Sequence, residues 1–158
     1  MTSTTESAQV RRMTAADLTQ VLEIAASLKE LPQWPESAYL NALNSEATLR
    51  RIALVAAGPQ TDRVEGFAVA SAVPPEAELE LIAVAAGSQR RGLGRMLLDG
   101  LRQELRAAGA VEIALEVRAS NHAALVFYRS AGFGEKGLRR GYYVDPIEDA
   151  VLMRLKFC

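Results

Sequence analysis

The stretch Gln89-Arg90-Arg91-Gly92-Leu93-Gly94-Arg95 decides how this chain is read. Leu79-Glu80-Leu81-Ile82-Ala83-Val84 before it has the composition of a strand, and Met96 to Leu105 after it has the apolar spacing of a helix;. Glycines at a strand-to-helix turn let the backbone approach a ligand and aim free N–H groups at it. The start of the following helix adds the positive end of its dipole. With Arg90, Arg91 and Arg95 around it, the turn asks for a phosphate group. It is not a Walker A loop, because no Gly-Lys-Ser/Thr follows, and it lacks the Gly-x-Gly-x-x-Gly spacing of a dinucleotide fold.

Working outward toward the N-terminus, Ala77 to Ala85 reads as a strand that follows the break at Pro74-Pro75. Leu49 to Ala57 and Val64 to Val73 are two further strands, joined by a hairpin loop at Gly58-Pro59-Gln60-Thr61-Asp62;. Trp34-Pro35-Glu36-Ser37 opens a helix, since proline suits a first helical turn;. A longer amphipathic helix carries Leu18, Val21, Leu22, Ala25 and Leu28, with Thr14 as its N-cap and Asp17 as the acidic partner of a capping box;. Val10 to Met13 supplies a short first strand, and residues 1–8 read as a flexible tail.

Toward the C-terminus, Leu93, Met96, Leu97, Leu101 and Leu105 form the apolar face of the central helix, and Gly109 suits its C-cap;. Val111 to Val117 alternates apolar and polar residues as a strand does;. Ser120 or Asn121 caps a short helix that ends by Gly132, and two last strands flank the segment from Tyr142 to Glu148. The order is β-α-α-β-β-β-α-β-α-β-β. A strand meander followed by a helical crossover predicts a mixed, mostly antiparallel, twisted sheet with a central parallel pair and helices on both faces, an α/β (α+β) fold. Residues 9–158 are expected to form one domain.

Composition narrows the function. Eighteen Lys+Arg stand against nineteen Asp+Glu, so the overall field steers the protein to neither nucleic acid nor membranes;. No apolar run reaches the roughly 18 residues that span a bilayer. The first residues have no signal-peptide pattern. The single cysteine, Cys158, allows no internal disulfide;. A cytoplasmic location is the expectation. His122 has no evident ligand partner, so no metal is expected;.

Leu81-Ile82-Ala83-Val84 and then Gln89-Arg90-Arg91-Gly92-Leu93-Gly94 resemble the acyl-CoA-binding signature of the GNAT N-acetyltransferases. Leu115-Glu116-Val117-Arg118-Ala119-Ser120-Asn121, Phe127-Tyr128, Ala131-Gly132-Phe133 and Arg139-Arg140-Gly141-Tyr142-Tyr143 are similar to the ribosomal-protein-alanine (RimI-like) subfamily. The resemblance covers Val10 to Leu155. It implies a GNAT fold and acetyl transfer from acetyl-CoA to a primary amine, the N-terminal α-amine of a protein or peptide such as a ribosomal protein. It implies that Arg90, Arg91, Gly92, Leu93, Gly94 and Arg95 hold the pyrophosphate. Ile82, Ala83 and Val84 would pair with the pantetheine arm as a strand would, beside a slot opened where this strand splays from Val111 to Val117. Asn121 would add a cofactor contact.

Taken alone, Glu116 reads as a surface residue of a half-exposed strand and Tyr128 as core packing. The resemblance makes Glu116 the general base and Tyr128 the acid that protonates the departing thiolate. Glu78 and Glu80 are rival bases, because some GNAT enzymes carry theirs on that strand. Trp34 and Tyr142 are expected to shape the substrate groove, although each also suits packing. Two other functions stay open: acetylation of a small-molecule amine or lysine side chain, and a non-catalytic CoA-binding module. The chain would act as a monomer or homodimer.

Overall fold

In the computed structural model the described residues are 8–44, 50–89 and 91–157. The elements follow the expected order: β1 Gln9–Arg12, α1 Leu18–Ser27, α2 Glu36–Ala42, β2 Arg50–Ala57, β3 Val64–Val73, β4 Glu76–Val84, α3 Leu93–Ala107, β5 Glu112–Arg118, α4 His122–Ser130, β6 Gly134–Tyr143 and β7 Glu148–Lys156. Leu49, Arg90, Cys158 and residues 1–7 of the expected tail lie outside the described residues. Ala8, grouped with that tail, is buried in the core.

The strands form one sheet in the order β1-β2-β3-β4-β5-β7-β6. Four of its neighbours around the central pair run antiparallel, as does the β1–β2 edge, and only β4 and β5 run parallel. Helix α3 makes that crossover. Its leucines 93, 97, 98, 101 and 105 are all buried, and each such side chain removed from water contributes about 1.5–3 kcal/mol;. They pack on the face of the sheet formed by Ile52, Leu54, Ala68, Ile113 and Leu115. Helices α1 and α2 cover part of the opposite face, through Val21, Ile24, Tyr39, Val55, Phe67 and Leu81.

The Thr14–Asp17 box forms as the spacing predicts, with Thr14 N–H donating to the Asp17 carboxylate at 2.8 Å. A single 3-10 turn, Ala15–Asp17, precedes α1. Asp17 is buried, and Arg11 donates to both of its oxygens at 2.8 Å.

Strand β4 contains the feature that positions the site. Val69 pairs with Leu81 and Ala70 with Leu79, so Glu80 is an extra residue in a β-bulge. A bulge reverses the alternation of side chains beyond it. Ala77 and Leu79 therefore face α3, whereas Leu81 and Ala83 face α1 and α2.

Candidate active site

The parallel ladder is short. It runs from Glu76 opposite Glu112 to Glu78 opposite Ala114 and then ends. Past that point β4 and β5 diverge, and a cavity of about 710 Å³ opens between Leu79–Val84 on one side and Leu115–Arg118 on the other. The β4 edge facing this slot has left its ladder with β5, which makes it a template for an extended partner. The splay expected from the family resemblance is therefore present.

At the mouth of the slot, Gly92 adopts φ 78°, a left-handed conformation that suits glycine;. The first intrahelical bond of α3 joins Met96 N–H to Gly92 C=O at 3.0 Å. The N–H groups of Leu93, Gly94 and Arg95 thus precede the helical ladder, at the positive end of a 15-residue helix;. Gly92, Leu93, Gly94 and Arg95 all line the slot, as do Ile82, Ala83, Val84 and Asn121. These donors and this cavity fit an extended phosphate-bearing ligand. Asn121 also caps α4, its side chain accepting from Ala124 N–H at 3.2 Å. Arg91 does not line the slot. Its guanidinium donates to Glu65 at 3.0 Å, the carboxylate that also accepts from Ser88.

A second, polar groove of about 430 Å³ lies on the sheet face beyond α1 and α2. It runs over Glu76, Glu78, Ala114 and Leu152 toward Arg139 and Arg154. The two cavities share Glu80, Leu115 and Glu116. Because Leu115 points to the α3 side, Glu116 points to the groove side, and its side chain is 21% exposed;. Arg139 approaches the Glu116 carboxylate at 3.6 Å. Hydrogen bonding to Glu116 raises the proton affinity of Tyr142. Glu78 has its pKa raised, first by burial and then by the charges of Glu80 and Glu116. Glu80 is held by Arg51, whose Nε and guanidinium nitrogen donate at 2.9 and 3.2 Å.

Tyr128 projects from α4 into the slot and is 8% exposed. Its ring packs against Phe127 and Phe133, with centroids 5.3 and 5.5 Å away. Burial raises its pKa above the ordinary value of about 10, with a smaller contribution from Tyr143;. It is therefore a neutral phenol at physiological pH.

The two adjacent tyrosines stand at different places. Tyr143 lines the slot, under the Arg118 guanidinium at 4.2 Å, whereas Tyr142 is half exposed and stands by Glu116 on the groove side. Trp34 lines neither cavity. It packs on Tyr39 at 5.4 Å and beneath Arg51 at 5.5 Å. Sequence reasoning missed Gln89, Phe127 and the Glu30-Leu31-Pro32 connection, which also line the slot. Gln89 belongs to the deciding stretch itself, and proximity to the turn could have marked it. The connection between α1 and α2 carries no local signal.

An α/β sheet opened between its parallel strands, with a glycine-led helix starting at the mouth of the opening, is the class that fold and site define. Residues 18–133 match the Acetyltransferase (GNAT) family, and the chain belongs to that family. Over 96 residues it is 51% identical to the ribosomal protein bS18-alanine N-acetyltransferase of Salmonella typhimurium. That match covers 60% of this chain and 65% of the relative, just under two thirds of the relative's length. It is 36% identical over 157 residues to the N-alpha-acetyltransferase RimI of Mycobacterium tuberculosis, covering 98% of this chain and 96% of the relative. Among solved structures it resembles the ribosomal-protein-S18-alanine N-acetyltransferase of Escherichia coli, with TM-score 0.78 and 35% identity over 95% of this chain and 94% of that one.

Proposed function

We propose that the protein transfers the acetyl group of acetyl-CoA to a primary amine, the N-terminal α-amine of a protein of the ribosomal-protein-alanine type. The observation that carries this reading is the meeting of two cavities at Glu80, Leu115 and Glu116. A thioester delivered along the slot meets an amine delivered along the groove, where β4 and β5 each bring a carboxylate, Glu80 and Glu116. The names of the relatives support the same reading.

The N–H groups of Leu93, Gly94 and Arg95 hold the pyrophosphate, and the free edge of β4 at Ile82 to Val84 pairs with the amide-bearing arm;. Arg90, adjoining the turn, adds positive charge there. Glu116 takes a proton from the incoming amine, directly or through a water. The amine nitrogen bonds to the acetyl carbon as the carbon–sulfur bond breaks. Tyr128 gives its phenolic proton to the departing sulfur, so the products are an amide and the free thiol. An α-amine has a reference pKa near 8 and lysine one near 10.4, so the α-amine is easier to deprotonate at neutral pH by about 3 kcal/mol. One carboxylate base is then sufficient.

The test is to supply acetyl-CoA with a library of N-terminal peptides and read which first residues become acetylated. Modification of α-amines, with alanine among the favoured first residues, is the expected result. Activity only on free metabolites or internal lysines overturns the acceptor assignment. Binding of acetyl-CoA without thiol release for any amine overturns the enzymatic reading.

A further inference from the structure

Resting on that reading, we infer that Arg51 is a positioning residue: it neutralises and orients Glu80, leaving Glu116 as the more loosely paired carboxylate that faces the amine. Arg51 lies on β2, two strands away from β4, and reaches across the sheet face to the bulge of β4 at Glu80. It donates to both Glu80 oxygens, at 2.9 and 3.2 Å. The two side chains are only 20% and 17% exposed, so water screens the pair weakly;. Trp34 lies against the guanidinium at 5.5 Å and is itself packed on Tyr39, which restricts where Arg51 can go. Glu116 has a looser partner, Arg139 at 3.6 Å, whose side chain is 56% exposed. The junction therefore holds one carboxylate in a close, shielded ion pair and one in a longer, more exposed pair.

The charge balance matters because the amine arrives as an ammonium. Glu78 on β4 and Glu116 on β5 supply carboxylates around Glu80, and Glu30 from the α1–α2 connection lines the same slot. Arg139 and Tyr142 face the same cluster from β6, and Tyr143 lines the slot beside it. Glu78 already feels the negative charges of Glu80 and Glu116. With Arg51 removed, Glu80 loses its close partner and adds its full charge to the cluster. It would bind the ammonium more tightly and also hold it protonated, which obstructs attack. Without Glu80, Arg51 would repel the ammonium instead.

Opposite kinetic signatures test this. Arg51→Met is expected to lower the KM for the peptide amine and to lower kcat about tenfold. It should also move the acid limb of kcat up by about one pH unit, with the acetyl-CoA KM unchanged. Glu80→Gln is expected to raise the peptide KM. The double variant Arg51→Met/Glu80→Gln should return both constants to within about threefold of wild type. Arg51→Lys, which keeps the charge, should resemble wild type more than Arg51→Met does. A purely structural role would leave the double variant at least as impaired as either single one, and that result overturns the inference. Unchanged peptide constants in Arg51→Met overturn it too. Thermal unfolding of the same three variants separates this inference from the functional reading. If wild type acetylates no amine but the double variant is more stable than Arg51→Met, the function fails and the coupling stands. If the two losses in stability simply add, the coupling fails.

Discussion

Replacing Tyr128 with phenylalanine removes one oxygen from the candidate site and almost nothing from the fold. The ring lies between Phe127 and Phe133, at centroid distances of 5.3 and 5.5 Å, and phenylalanine keeps both contacts. The loss of stability should therefore stay within about 1 kcal/mol, the net worth of one hydrogen-bonding group. The rate should respond much more. A positioned general acid contributes about 10²- to 10⁴-fold. The leaving group is a thiol, for which a reference pKa of about 8.5 applies, so it departs readily and the lower end is the appropriate figure. A hundredfold fall corresponds to about 2.7 kcal/mol of barrier. Burial holds the Tyr128 proton more tightly than in water, so the group stays protonated through neutral pH and any alkaline limb it sets lies above the ordinary tyrosine range. Thiol release at saturating acetyl-CoA and peptide measures the rate, and thermal unfolding and acetyl-CoA calorimetry monitor the fold and the slot. A variant within threefold of the wild-type rate refutes the assignment of Tyr128 as acid. A hundredfold loss accompanied by weakened cofactor binding or a collapse in melting temperature refutes the claim that the hydroxyl alone is responsible.

Glu116→Gln keeps the shape of the groove wall and removes the proton acceptor. A fall in kcat of about 10²- to 10³-fold, with acetyl-CoA binding unchanged by calorimetry, is expected, and full activity across pH would exclude Glu116 as base. Asp17→Asn disrupts the buried carboxylate that accepts from Arg11 and Thr14, and should cost about 2 kcal/mol in urea unfolding at pH 7;. Arg11, then burial and Thr14, set the Asp17 pKa, with a net lowering, so its contribution is present above the unfolded value of about 3.9 and is lost as pH falls through the lower folded value;. The gap between variant and wild type should accordingly shrink at pH 3. Gly66→Ala would bring a Cβ to 2.8 Å from the Ala83 carbonyl oxygen and 3.3 Å from a Leu97 methyl. Because Ala83 lines the slot, the substitution should raise the acetyl-CoA KM several-fold beside a stability loss of about 1–3 kcal/mol, as steady-state kinetics and thermal unfolding would measure;.

The order of elements was legible in the sequence because each element's signal is local. The apolar stripe of α3, the alternation of β5 and the glycine at 92 depend on near neighbours in the chain;. The turn at Gly92 to Arg95 and the strand at Ile82 to Val84 were legible for the same reason, and both line the slot. The candidate pair of Glu116 and Tyr128 came from family resemblance. Only the fold brings a residue of β5 and one of α4 to the same cavity.

Other features needed the tertiary structure because they depend on partners far along the chain. Period-two reading puts Ala77, Leu79, Leu81 and Ala83 of β4 on one face, but pairing with β3 forces the bulge at Glu80 and turns the strand over;. Arg91 is expected at the phosphate from its place in the turn, and only the fold shows Glu65 beside its guanidinium. For Trp34 the sequence leaves groove wall and packing open, and the fold shows its contacts with Tyr39 and Arg51. Tyr142 and Tyr143 are adjacent in sequence, and only the folded β6, whose register against β7 shifts between Arg139 and Tyr143, shows that Tyr143 lines the slot. Composition and local pattern determined what each segment would become. Strand register, and the bulge and splay that follow from it, decided which side chains meet, because a shift of one residue exchanges the two faces of a strand.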